Sequence, residues 1–209
     1  MQKRKKIGVI TTNLSFEFFD PFKLVERAKK LKTQVTNMSR LPDPVPHLEG
    51  KALSLYQTLA AKRGRIDGMY RTLLHYPELT EKVSDLGTYL RFESVLPSHI
   101  REFIILYTAR QLQAGYEWEK HQGPAHQAGL SQKIIDAIEN GESLPEPYQS
   151  LAQAVAHVLN LENIPQDLQD RIIQLIGVKG IIELVILTGF YRMIGGVIQS
   201  FDVPLPPTP

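Results

Sequence analysis

The chain has 209 residues and no cysteine, with 24 basic against 22 acidic residues for a formal charge of +2. That length fits one domain with a sizeable hydrophobic core, with room for an appendage, and so small a charge does not point to nucleic acid as a partner of the whole chain. The missing thiols exclude disulfides, thiolate metal sites and a cysteine nucleophile together.

A basic run at residues 3–6 precedes Ile7-Gly8-Val9-Ile10, and Thr11, Thr12, Asn13 and Glu17 interrupt the apolar stretch before it reaches signal-peptide length. Residues 1–40 read as a basic extension, rich in Lys and Arg, with one apolar cluster (Phe16, Phe18, Phe19, Phe22) and a short helix over 22–31. Leu41-Pro42-Asp43-Pro44-Val45-Pro46 predicts an extended joint, because each proline disfavours helix in the residue before it. The helical domain takes 41–209, its compact part starting near His47.

From there the periodicity is helical throughout. Helices are predicted over 48–62, over a short segment around Met69, Leu73 and Leu74, and along Leu79, Val83, Leu86 and Leu90 at spacings of three and four. Pro97-Ser98 opens a helix to Gln113, proline being tolerated in a first turn. The next runs from Gly115 to about Ala128, with Gly129 as its C-terminal cap. Ser131 caps the following one, with Leu130 and Ile135 as a hydrophobic staple, and Asn140-Gly141 ends it. Tyr148, Leu151, Ala152, Val155 and Leu159 mark an amphipathic helix; Leu168, Ile172, Leu175 and Ile176 mark another. The last, 181–201, is apolar nearly all round and therefore expected to be buried; Glu183 and Arg192 argue against a membrane span. No segment alternates as a strand does, so the fold class is all-α, and the chain is read as soluble and cytoplasmic.

Two helices carry the chemistry. Glu102 lies on one row with Ile105, Leu106, Ala109 and Gln113, and two readings fit it: a desolvated functional carboxylate, or a helix-start glutamate favoured by the macrodipole and bent to solvent. Glu117 and His121, four apart, share a helix face, as a hydrogen-bonded pair or an exposed ion pair. Two such ligands without a third make no metal site. His126 falls off that face, and His75 reads as a helix-end cap.

Several segments resemble the carboxymuconolactone decarboxylase and alkylhydroperoxidase D-like superfamily. They are Leu96-Pro97-Ser98-His99-Ile100-Arg101-Glu102, Tyr116-Glu117-Trp118 with His121, and Ala128-Gly129-Leu130-Ser131. Arg71-Thr72-Leu73-Leu74-His75-Tyr76-Pro77-Glu78-Leu79, Gly189-Phe190-Tyr191-Arg192-Met193-Ile194 and Phe201-Asp202-Val203-Pro204-Leu205 extend the likeness over about residues 38–205. Met38-Ser39-Arg40-Leu41-Pro42 is similar to a usual family beginning, which makes Met38 an alternative start. The redox branch of the family carries two cysteines, which fall here on Ala114 and Glu117, between a glutamate and a histidine that fall on Glu102 and His121.

The resemblance implies an all-helical fold built around an antiparallel helix pair, assembled as a homotrimer or hexamer, with a pocket near subunit contacts lined by Glu102 and His121. Acid–base decarboxylation, or a related reaction, of a small lactone or carboxylate is the first functional expectation, with His121 as acid and Glu102 orienting it. Arg71 or Arg192 would hold the substrate carboxylate, with Tyr116, Glu117 and Tyr191 as further contacts. No cofactor, metal, nucleic acid or membrane is expected. A non-catalytic oligomeric binding protein of the same fold is the alternative. Thiol peroxidase chemistry ranks last, because it needs a thiolate and a resolving thiol.

Overall fold

The computed structural model describes residues 39–64 and 66–205, within one compact unit spanning Met38–Pro209. Apart from Ser39 and Arg40, the basic extension and the short helix expected over 22–31 lie outside the described residues. The proline-rich joint is not extended throughout: Val45–His47 closes a 3-10 turn after Pro44. The joint is tied down from both sides. The Arg40 amide donates to the Phe201 carbonyl at 2.8 Å, His75 Nε2 meets the Pro42 carbonyl at 2.8 Å, and the Arg71 guanidinium grips Asp43.

Eight α-helices follow, and the described residues contain no strand: α1 (Gly50–Arg63), α2 (Gly68–Leu73), α3 (Pro77–Thr88), α4 (Ser98–Gln111), α5 (Gly115–Gln127), α6 (Gln132–Asn140), α7 (Tyr148–Asn160) and α8 (Gln166–Ser200). A π-helical stretch, Tyr89–Glu93, continues α3. The all-α expectation holds, and the chain-order reading of the helices places each one. Ser131 does sit at the N-cap of α6, but its backbone carbonyl rather than its hydroxyl accepts the first amides.

Helix α4 is the centre of the molecule. Ile100, Glu102, Phe103, Ile104, Ile105, Leu106, Thr108 and Ala109 are all buried, so nearly every face of the helix meets protein. It packs against α5, α7 and α8. A tight connection through Gln113, at φ +54°, turns the chain back, so that α4 and α5 form the antiparallel pair. Burial of side chains such as Phe103, Ile104 and Leu106, each contributing about 1.5–3 kcal/mol, makes α4 the main hydrophobic anchor.

Helix α8 is two helical segments, as predicted over 168–176 and 181–201, which meet at a break at Gly177 (φ 74°, ψ 171°), a conformation that side-chain-bearing residues avoid. It differs from its expectation in one way: the apolar segment is not buried all round. Leu184, Leu187, Phe190, Ile194 and Ile198 enter the core, while Val178, Ile182, Val185, Ile186 and Met193 stay exposed. By length and composition this helix is able to cross a membrane. It packs on α4 and α7, and its Glu183 carboxylate is hydrogen-bonded within the bundle.

Glu183 has a defined structural task. Its Oε2 accepts from the Ser94 hydroxyl at 2.8 Å, the Val95 amide at 2.9 Å and the Leu96 amide at 3.2 Å, just before α4 begins. Replacing it with Ala leaves those donors, two of them part-buried, without their acceptor. Glu183→Ala is expected to cost about 3 kcal/mol and Glu183→Gln about half as much, because the amide oxygen keeps part of the set. Urea denaturation of both variants measures the difference, and equal losses would show that the acceptor is not what matters.

Candidate functional site

One cavity of about 530 Å³ lies between α1, α2, α4, α5 and α8. Helical spacing brings the site residues to it. On α5, Glu117, His121 and Pro124 fall on one face; on α8, Leu187, Tyr191, Ile194 and Ile198 do the same; on α4, Arg101, Glu102 and Ile105 look inward. Gly87 is needed where α3 passes α2 and α8, since a Cβ there would collide with the Tyr70 hydroxyl and the Phe190 ring.

Three helices each supply one member of a hydrogen-bonded chain. The Glu102 carboxylate, 6 % exposed as a residue, takes His121 Nδ1 at 2.8 Å, and His121 Nε2 meets the Tyr191 hydroxyl at 3.0 Å. A carboxylate accepts only, so Nδ1 carries a proton. In the neutral ring Nε2 then accepts the Tyr191 O–H, and in the imidazolium it donates to the phenol oxygen. The His121 and Tyr191 rings meet edge to face, with centroids 5.1 Å apart. Burial first, and then the nearby Glu102 charge, push the Tyr191 phenol far above its ordinary range, so it remains protonated. Arg101 Nε stands 3.7 Å from the other Glu102 oxygen.

Of the two readings of Glu102, the structure shows the inward, partnered one. The expected pairing of Glu117 with His121 is not formed. Both imidazole nitrogens are engaged by α4 and α8, leaving none for a carboxylate on the same helix. Nor is Glu117 exposed: it is 3 % accessible, and neither oxygen has a hydrogen-bond partner. Desolvation pushes its pKa up to about 7, its own backbone amide pulling weakly the other way.

The structure brings Tyr116, Glu117 and Tyr191 to the cavity beside Glu102 and His121, but not Arg71 or Arg192. Arg71 is held by Asp43 on the proline-rich joint, and Arg192 is turned outward to the Leu159 carbonyl at 2.8 Å. The cations that do line the cavity are Arg63, Arg91, Arg101 and Lys120. Lys120 sits three residues after Glu117 on the same helix, which is a legible signal. Arg63 carried none, since at the end of α1 it reads as a solvated C-terminal charge. Among the described residues no cluster of three metal-ligating side chains occurs.

No protein-family model matches the sequence, and no curated protein does. The structure matches that of an uncharacterized peroxidase-related protein with an alkylhydroperoxidase D core from Ralstonia eutropha, at a TM-score of 0.68 and 15 % identity, over 80 % of this chain and 92 % of that one. The fold is alkylhydroperoxidase D-like. At that identity the likeness speaks for architecture, and the peroxidase description stays with the protein that bears it.

The raised Glu117 pKa has a stability consequence. The folded state holds this proton more tightly than the unfolded chain, where the value is near 4.5. Its stabilising contribution is therefore complete below the unfolded value and is lost as pH rises to about 7. Glu117→Gln, with no charge to desolvate, is expected to melt above wild type near about pH 8 and to lose that advantage near about pH 4. Thermal melts across this range give the answer; a pH-independent offset between the two proteins would mean that the carboxyl is not desolvated.

Proposed function

We propose that the cavity is the active centre of a cysteine-independent acid–base enzyme acting on a small lactone or related carboxylate, by decarboxylation or a kindred step. The observation that carries this reading is the Glu102–His121–Tyr191 chain, which ends at a phenol on the cavity wall. Loss of carbon dioxide from a conjugated lactone sends an electron pair toward the carbonyl oxygen, which needs a donor, and the carbanionic carbon left in the ring system needs a proton.

Tyr191 supplies the O–H. With His121 as the imidazolium, the phenol passes its proton to the substrate while receiving another from Nε2, so no buried phenolate accumulates. Glu102 fixes the ring by Nδ1 and balances its charge. The substrate carboxylate falls to the cavity cations Arg63, Arg91, Arg101 and Lys120 in place of Arg71 and Arg192. Thiol peroxidase chemistry has no group to perform it, because the chain has no cysteine.

A screen of carboxylated lactones for decarboxylation and ring opening, with peroxide consumption run alongside, tests the reading. Turnover is expected in wild type and a loss of about 10²–10⁴-fold in Glu102→Gln and Tyr191→Phe, the range general acid–base catalysis contributes. Ligand binding without turnover would make this a binding protein of the same fold. Peroxide consumption would overturn the chemistry outright.

The same reading takes a second copy of the chain as the cover for the exposed face of α8. Val178, Ile182, Val185, Ile186 and Met193 follow one another at helical spacing, with Lys179 and Arg192 as the exposed charges beside them. Wild type is expected to sediment as a trimer or hexamer and Ile182→Asp as a smaller species of unchanged helix content. A monomeric wild type would end the proposal.

A further inference from the structure

Glu117 is the buried polar group that the acid–base chain does not use. Its carboxylate lines the cavity, has no hydrogen-bond partner on either oxygen, and enters no ion pair among the described residues. An isolated ionised carboxylate in an enclosed site is costly, and a neutral carboxylic acid is the form such a site tolerates. That form has an O–H to donate.

Among the charged groups that line the cavity with it, cations outnumber carboxylates. Arg63 of α1, Arg91 of the π-helical stretch, Arg101 of α4 and Lys120 of α5 line the cavity against two other carboxylates, Asp67 and Glu102. His121 and the phenols Tyr70, Tyr116 and Tyr191 complete the titratable set. Arg63 Nε and Arg101 Nε are also buried without hydrogen-bond partners. The cavity is thus lined by guanidinium and ammonium side chains, by a carboxyl that is neutral when protonated, and by an apolar wall made by Ile105, Leu187, Phe190 and Ile194. A small ring or short chain bearing one carboxylate fits all three.

We propose that Glu117 is a proton-carrying recognition residue: the cavity takes a small monocarboxylate whose oxygen accepts the Glu117 O–H, so binding above neutrality brings one proton into the site. The inference rests on the reading of this cavity as a small-molecule site, and not on the reaction assigned to it. The proton added to the Glu117 carboxylate comes from solvent and leaves with the ligand, so the cycle balances without a co-reactant.

The physical reason for uptake is the charge of the ligand. An anion brought beside a carboxyl disfavours its ionised form, and the cationic wall compensates the ligand without removing the need for that proton. Glu117→Gln keeps an N–H donor at the same place and removes the titration.

The test is calorimetric titration with benzoate as the probe, in two buffers of different ionisation enthalpy, between about pH 6 and pH 9. Wild type is expected to take up close to one proton per site at the alkaline end, with affinity falling about tenfold per pH unit above neutrality and flat below it. Glu117→Gln should bind without uptake and with no such slope. Infrared difference spectra of ligand-free protein, expected to show a carboxylic-acid band lost in Glu117→Gln, keep the test independent of how well the variant binds.

Absence of benzoate binding near about pH 6, binding without proton uptake, or the same uptake in Glu117→Gln each overturns the proposal. Glu102→Gln separates it from the catalytic reading. Loss of turnover with proton uptake intact supports both, and uptake in a protein with no turnover on any lactone leaves the recognition role standing alone.

Discussion

The position of α4 depends on a single buried carboxylate. Glu183 gathers the Ser94 hydroxyl and the Val95 and Leu96 amides on one oxygen, fixing the chain where it leaves the π-helical stretch and enters α4. Its helix also carries Tyr191, eight residues further on. The start of α4 is thereby registered against the helix that bears the phenol, and Glu102 and Tyr191 are placed on opposite sides of His121. A shift of one residue in that register would swing Glu102 about a hundred degrees round its helix, out of reach of His121 Nδ1.

From this registration the two carboxylates of the cavity acquire different characters. Glu102 has a ring N–H at 2.8 Å and a guanidinium nitrogen at 3.7 Å, the surroundings of an ionised group. Glu117, on the facing helix, has neither, and burial holds its carboxyl up at about 7. Glu102 orients an imidazole, while the unpartnered Glu117 carboxyl changes charge near neutrality. Helix spacing alone cannot make that distinction, because both residues sit on inward faces.

Much of the architecture was legible in the sequence because its signals are local. Apolar rows at three- and four-residue spacing, Pro97-Ser98, and Asn140-Gly141 mark helices and ends that are set within a turn or two. The resemblance reached Glu102 and His121, and their meeting across the α4–α5 turn follows from antiparallel packing. The failures share a cause, which is that partners come from elements distant in sequence. Glu117 was paired with His121 because the two are four apart, yet α4 and α8 had already taken both nitrogens. Arg71 and Arg192 were assigned to an anion without regard to Asp43 and the Leu159 carbonyl. Likewise α8 was read as buried all round, since composition records that a face is apolar and not whether anything in the same chain covers it.

Glu117 falls where the redox branch of the carboxymuconolactone decarboxylase and alkylhydroperoxidase D-like superfamily has a cysteine, and here the position holds a carboxyl. A thiolate at that place offers a nucleophile and an electron pair for peroxide, with the neighbouring histidine managing its proton. A carboxyl offers no such electron chemistry, but it retains a proton that can be held or released near neutrality once it is desolvated. The cavity has Glu102 and His121, a phenol on His121 Nε2, and four cations elsewhere in its lining. On the proposed reading, proton handling is the chemistry of this cavity, and an anionic ligand gives an unpartnered carboxyl a reason to stay protonated.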